Sequence, residues 1–160
     1  MAYPQWSYFP RNAHPPQWAT DLVQVVAAQR EVIDTEPGPS ADADRFTSDK
    51  VLATLRPGMV SLGYTVESGK LATDRIKRPV LFGDGGVPAL TYEIDAFHDE
   101  LGIAVEVEAG RGAKGNADYR DIVRMSLLLD ARFMVLMMPI IYRYKSGAKD
   151  FRAEAFAKTR

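Results

Sequence analysis

The 160-residue chain contains no cysteine and only two histidines, His14 and His98. A disulfide scaffold, a thiolate zinc site and a cysteine nucleophile are therefore excluded, and so is a zinc centre built from histidines. Long apolar runs are missing too. The longest, Phe133 to Ile141, is too short to cross a bilayer, and Asp130 and Arg132 stop its extension toward the preceding Leu-rich run. The opening segment, MAYPQWSYFPRNAHPP, lacks the basic start and continuous apolar run of a signal peptide, so a cytoplasmic protein without membrane contact is expected. Net charge is nearly absent as well: 20 Lys and Arg face 21 Asp and Glu. No global positive field announces a polyanion.

What is present reads as one globular domain. Hydrophobic residues make up 46% and charged residues 26% of the chain, which excludes a disordered or collagen-like polymer, and the length suits a single core. The charges are unevenly placed. Six acids between Glu31 and Asp49 stand against Arg45 alone, whereas seven bases between Arg132 and Arg160 stand against Asp150 and Glu154. Such a chain either offers a basic face to a polyanion or pairs two solvated surfaces with each other.

Residues 1–16 mix Trp6, Tyr3, Tyr8 and Phe9 with four prolines, which resists helix and sheet and predicts an arm that docks on this domain or a neighbouring subunit. Residues 17–160 then form the domain proper. Trp18, Leu22, Val25, Val26 and Ile33 follow helical spacing, ending before the Glu36-Pro-Gly-Pro-Ser loop. Thr47 or Ser48 caps a second helix through Leu55, which Pro57 breaks or restarts. Strands are predicted at Tyr64–Val66, Val80–Phe82, Leu90–Phe97 and Ile103–Glu108, followed by a helix from about Asn116 to Leu129. Phe133–Met138 reads as a buried strand, and the tail from Lys149 as a helix with Phe151, Ala155 and Phe156 on one face. The expected fold is α/β: a central mixed sheet of four or five strands flanked by helices.

The chemistry concentrates in TYEIDAFHDELGIAVEVEAGRG. Alternation along a strand places Glu93, Asp95 and Phe97 on one face of the first strand and Ala104, Glu106 and Glu108 on one face of the second. With Asp99 and Glu100 at the centre of the turn, Asp95 lies across from Ala104 and Glu93 across from Glu106, so that four carboxylates share a face. Opposed like charges on a sheet are unfavourable, and burial makes them more so. An oxygen-preferring cation such as Mg²⁺ relieves the repulsion and can activate water against a phosphate. The alternative is a solvated outer face, against which stands the largely apolar second strand.

Asp95, ten intervening residues and then Glu106-Val107-Glu108 resembles the core motif of the PD-(D/E)XK nuclease superfamily, in its restriction-endonuclease-like branch with Glu in place of the motif Lys. The resemblance spans roughly Gln17 to Tyr144. It implies a restriction-endonuclease-like sheet and hydrolysis of DNA phosphodiesters with Mg²⁺ or Mn²⁺. It further implies Asp95 and Glu106 as metal ligands, Glu108 as ligand or water-orienting base, and Glu31 as an additional helix-borne acid. Ile94 stands where the motif carries Pro. Restriction-like enzymes often act on double-stranded DNA as dimers, so a homodimer is the expectation, with the N-terminal arm as its contact.

The Gly-rich segment from Ala109 to Asn116 precedes a helix, whose backbone N–H groups attract anions, and Arg111 and Lys114 add charge there. It is not a Walker A loop, since Asn116 stands where Lys is required. Arg120 and Arg124, one turn apart, either bind DNA phosphate or pair with Asp118 or Asp121. His98 reads as a surface residue beside the turn. Two other readings accompany the nuclease: a catalytically inactive DNA- or protein-binding module on the same fold, and a nucleotide or phosphometabolite binder built on the Gly-rich loop.

Overall fold

The computed structural model describes residues 3–33, 47–108, 116–146 and 149–159. Helix α1 (Gln17–Ala28) starts behind Pro16, and Gln29 separates it from a single turn, α2 (Arg30–Ile33), where one continuous helix was expected. Helix α3 (Ser48–Ser61) is capped by Thr47, whose hydroxyl accepts from the Lys50 amide at 3.3 Å. Pro57 neither ends nor restarts it. The helix loses one hydrogen bond there and continues, held by Leu52, Leu55 and Met59, all buried. Gly58 lets α1 approach: a Cβ at that position would lie 2.6 Å from Cγ1 of Val25.

The central sheet has four strands in the order β1–β4–β5–β6, with β1 Thr65–Val66, β4 Ala96–His98, β5 Ile103–Val107 and β6 Phe133–Met137. The first two pairings are antiparallel and the last, β5 with β6, is parallel, so the sheet is mixed as expected. Its two faces carry separate apolar clusters, set by the alternation of β5. Ile103, Val105 and Val107 pack with Leu22 of α1 and Leu52, Leu55 and Met59 of α3. Ala104 lies on the other face with Ile94, Phe97, and Met125 and Leu128 from helix α4 (Ala117–Ser126) and its end. Full burial of each such aliphatic side chain is worth about 1.5–3 kcal/mol.

The predicted strand Leu90–Phe97 is two strands in two sheets. β2 (Ile76–Phe82) and β3 (Pro88–Ile94) form their own antiparallel ribbon, the chain bends at Asp95, and β4 then enters the central sheet. Glu93 therefore leaves the face of Asp95; its Cα partner is Lys77 and its carboxylate pairs with Arg75. The turn after β4 also differs from expectation. His98 pairs with Ile103, leaving the four residues Asp99 to Gly102 as the loop, and Gly102 has φ +64°. The Gly102 amide donates to the His98 carbonyl at 2.8 Å, which fixes this longer loop. The register consequently shifts by two residues, placing Phe97 rather than Asp95 across from Ala104.

Two further expectations are corrected. β6 lies at the sheet edge and is only half-buried, with Met134 47% exposed, because no strand among the described residues pairs with its outer side. The tail forms a hairpin, β7 (Tyr142–Ser146) with β8 (Lys149–Ala153), before the short helix α5 (Ala155–Thr159). Pairing of Ser146 with Lys149 closes that hairpin, and the alternation of Tyr142 and Tyr144 with Arg143 and Lys145 is a strand pattern that outweighs the helical spacing of the later aromatics. No helix among the described residues is long and apolar enough to cross a membrane.

Candidate active site

The two-residue register shift keeps each strand's faces and changes only the partners. By extension of the β4–β5 pairing, Asp95 comes opposite Glu106. Asp95 occupies the bend where the ribbon meets the sheet, and its backbone carbonyl accepts from the Glu67 amide at 2.8 Å, just beyond β1. Its side chain replaces the ladder at the point where β4 has not yet begun: Oδ2 accepts from the Val107 amide at 2.7 Å. Glu106, in the middle of β5 and only 9% exposed, sits between this bend and Leu136 of β6.

Burial of both carboxyl groups favours a state in which the pair retains a proton. Burial pushes Glu106 up to about 9, the charge of Asp95 and then of Asp121 adds to it, and Arg124 partly offsets them. Burial raises Asp95 as well, opposed by the Val107 amide and by the hydrogen bond that protonated Glu106 donates to it. The pair titrates as a unit. Glu106 Oε1 is buried and has no hydrogen-bond partner among the described residues. A retained proton together with an orphaned oxygen, in a set of hard oxygen donors, fits a divalent cation of the Mg²⁺ type, which takes one or two carboxylates and keeps its waters. Among the described residues, no group of three or more His, Asp or Glu is arranged around a common metal position. The fit is thus that of a two-carboxylate site.

Other expected residues fall at varying distances from this pair. Glu108 follows β5, is partly buried, and donates its amide to the Met137 carbonyl at 2.8 Å; its charge raises Asp121. Glu31 is exposed on α2, and the strongest further acids acting on the pair are Asp121 and Asp49. Arg111 and Lys114 lie outside the described residues. Arg120 and Arg124 both lie against Asp121: Arg120 Nε donates to its Oδ1 at 3.2 Å, and a terminal nitrogen of Arg124 is 3.8 Å from the same oxygen. Their pairing was anticipated, and it leaves Arg120 62% exposed at its side chain.

Sequence reasoning missed two acids as parts of this centre. Glu67 is raised by burial and then by Asp95, against a lowering influence from Arg75. Asp121 is buried and raised by burial, with Arg120 pulling the other way. A signal for Asp121 does exist: Asp118, Asp121, Met125 and Leu128 recur at helical spacing, and all four are buried. The first turn of α4 thus already contains a buried acid. Asp118 is 1% exposed, and its Oδ2 accepts from the Thr159 hydroxyl at 2.7 Å. His98 is not at the surface. It is buried, packs edge-on against Tyr64 with ring centroids 5.0 Å apart, and its Nδ1 lies 3.4 Å from the Leu101 amide.

A family model described as "Putative halobacteria restriction endonuclease" matches residues 1–159 of the chain. No curated protein and no solved structure matches it.

Proposed function

The chain belongs to the family of that description, and we propose that it hydrolyses phosphodiester bonds of double-stranded DNA with Mg²⁺ or Mn²⁺. The observation that carries the proposal is the juxtaposed, buried Asp95–Glu106 pair, whose Glu106 Oε1 has no hydrogen-bond partner among the described residues. A buried acid pair that the nearby Arg124 only partly offsets is costly to folding and is the kind of arrangement found at functional sites. The mixed sheet with helices on both faces supports a restriction-endonuclease-like core of the PD-(D/E)XK type, in which Glu108 replaces the motif Lys.

In this reading Asp95 and Glu106 would hold the cation, which would supply Lewis-acid charge toward phosphate oxygens and make water a better nucleophile. Both carboxyls act as ligands only when ionised, so Glu106 releases the retained proton to solvent. The Val107 amide keeps Asp95 Oδ2 oriented throughout. Glu108 orients the attacking water or takes its proton at a carboxylate oxygen. Glu31 on α2 is the additional helix-borne acid, and Arg111, Lys114, Arg120 and Arg124 steer the DNA backbone. A cytoplasmic homodimer, with residues 1–16 in the contact, completes the proposal.

Plasmid cleavage in Mn²⁺ tests it directly: Asp95→Ala and Glu106→Ala each abolish cleavage by the wild type. Undiminished cleavage by either variant removes that residue from the mechanism. A second reading, an inactive DNA- or protein-binding module, draws on the lack of a three-acid metal arrangement among the described residues and on the missing Lys. Calorimetric titration with Mn²⁺ separates them, since binding heat that disappears in Glu106→Ala favours the nuclease.

A further inference from the structure

Helix α4 buries an acid beneath two arginines, and the nuclease proposal leaves that acid without a task. The Asp121 side chain is 6% exposed, whereas those of Arg120 and Arg124 are 62% and 33% exposed. Taking a carboxylate out of water costs free energy that a surface position avoids. Asp121 nonetheless lies on the buried stripe of α4, on the side of the sheet where Glu106 sits. A metal-ligand role for it is disfavoured, because the described residues include no third acid arranged with Asp95 and Glu106 around one ion.

The partners of Arg124 point to what Asp121 does. One terminal nitrogen is 3.8 Å from Asp121 Oδ1, and the other donates to the Glu93 carbonyl at 3.5 Å. Its guanidinium carbon stands 5.4 Å from the centre of the Tyr92 ring. Tyr92 and Glu93 directly precede Ile94, the last residue of the ribbon before the bend at Asp95. Three anchors on two elements therefore fix the arginine beside the acid pair. Arg120 pairs with Asp121 alone among the described residues and faces solvent. Asp121 adds a further acid beside the pair, and Glu108 occupies the position at which the resembled motif carries its positive charge. A phosphate approaching these acids needs a cation already in place.

We propose that Asp121 is a positioning residue that holds Arg124 at the Asp95–Glu106 pair, so that an incoming DNA phosphate meets a preset guanidinium. The inference rests on the DNA reading, and its test needs no cleavage. Binding of a fluorescently labelled DNA duplex is followed by anisotropy in EDTA for the wild type, Arg124→Ala, Arg124→Lys, Asp121→Asn and the double variant Asp121→Asn/Arg124→Ala. Removing one ordered phosphate contact weakens binding about tenfold in Arg124→Ala. Arg124→Lys restores part of that loss, and Asp121→Asn alone loses several-fold. The deciding comparison is the double variant, which binds no more weakly than Arg124→Ala, because Asp121 acts only through the arginine.

A merely structural Asp121 would weaken binding by the same factor with or without Arg124, and that additivity overturns the proposal. Wild-type affinity in Arg124→Ala overturns it too. Should Asp121→Asn fail to fold, as judged by its thermal transition, the decision passes to the two Arg124 variants: no loss in alanine, or no recovery with lysine, defeats the idea. An intact binding cycle in a protein that fails to cut DNA in Mn²⁺ counts against the hydrolytic activity and leaves the role of Asp121 standing.

Discussion

The acids held by Arg75 and Arg78 around the β2–β3 ribbon and the acid pair centred on the bend between β3 and β4 are opposite in treatment. Glu93 pairs with Arg75, and Asp99 and Asp130 are both held by Arg78, at 2.9 and 2.5 Å. Arg78 also lies over the Phe97 ring, 3.9 Å from its centre. Each acid there has a cation, as expected for a connection that must be stable. Asp95 and Glu106 are more deeply buried and have each other. The difference separates charges that hold the fold together from charges that the fold keeps at a cost, and the second kind carries the functional reading.

The largest expected effect lies on the second side. Asp95→Ala and Glu106→Ala lower Mn²⁺-dependent cleavage of plasmid DNA by at least about 100-fold, while the thermal transition stays cooperative. On the first side, Arg78→Ala leaves Asp99 and Asp130 without their shared partner and costs about 2–4 kcal/mol in urea unfolding. If Arg78→Ala were neutral and Glu106→Ala strongly destabilising, the roles assigned to the two regions would be reversed.

A smaller effect reports the proton of the pair. Glu106 is raised to about 9 in the folded protein, so between the ordinary carboxyl range and pH 9 the native state binds a proton that the unfolded chain has released. Stability of the metal-free protein therefore falls as pH rises through that window. Glu106→Gln removes the titration, so its melting temperature declines less between pH 5 and pH 8 than that of the wild type. Parallel declines in the two proteins would mean that Glu106 is not the group concerned. Mn²⁺ opposes the decline in the wild type at pH 8 and leaves Glu106→Ala unchanged.

Much of this arrangement is visible in the amino-acid pattern, and the exceptions have physical causes. Period-two alternation suffices to divide Ile103, Val105 and Val107 from Ala104 and Glu106, because those faces pack on different helices. It does not set the partners. A left-handed Gly102, where a Cβ would come within 2.8 Å of the Asp130 carbonyl, lengthens the loop and moves the register by two. An even shift preserves the face, so Asp95 and Glu106 remain together while the expected Glu93–Glu106 pairing disappears. The bend at Asp95 is harder to read, because Leu90 to Phe97 has no glycine or proline to mark it. Asp121 escaped attention because an acid in a helix also bearing Arg120 and Arg124 reads as a surface partner. Its burial depends on how α4 lies on the sheet.

The smallest expected effect tests the comparison from its weak end. Arg75 and Glu93 form an ion pair with both side chains more than a third exposed. Water screens such a pair, and ordering two flexible side chains offsets most of its attraction. Arg75→Ala therefore hardly moves the urea midpoint at low salt, and the small shift disappears near about 1 M NaCl, where the screening length falls to a few ångströms. Arg78→Ala keeps its larger loss at the same salt, because Arg78 itself is drier than Arg75 and its guanidinium also packs on Phe97. Equal salt sensitivity of the two arginines would show that the ribbon acids are all held by surface electrostatics. The contrast with the buried pair would then rest on burial alone, not on how each acid is neutralised.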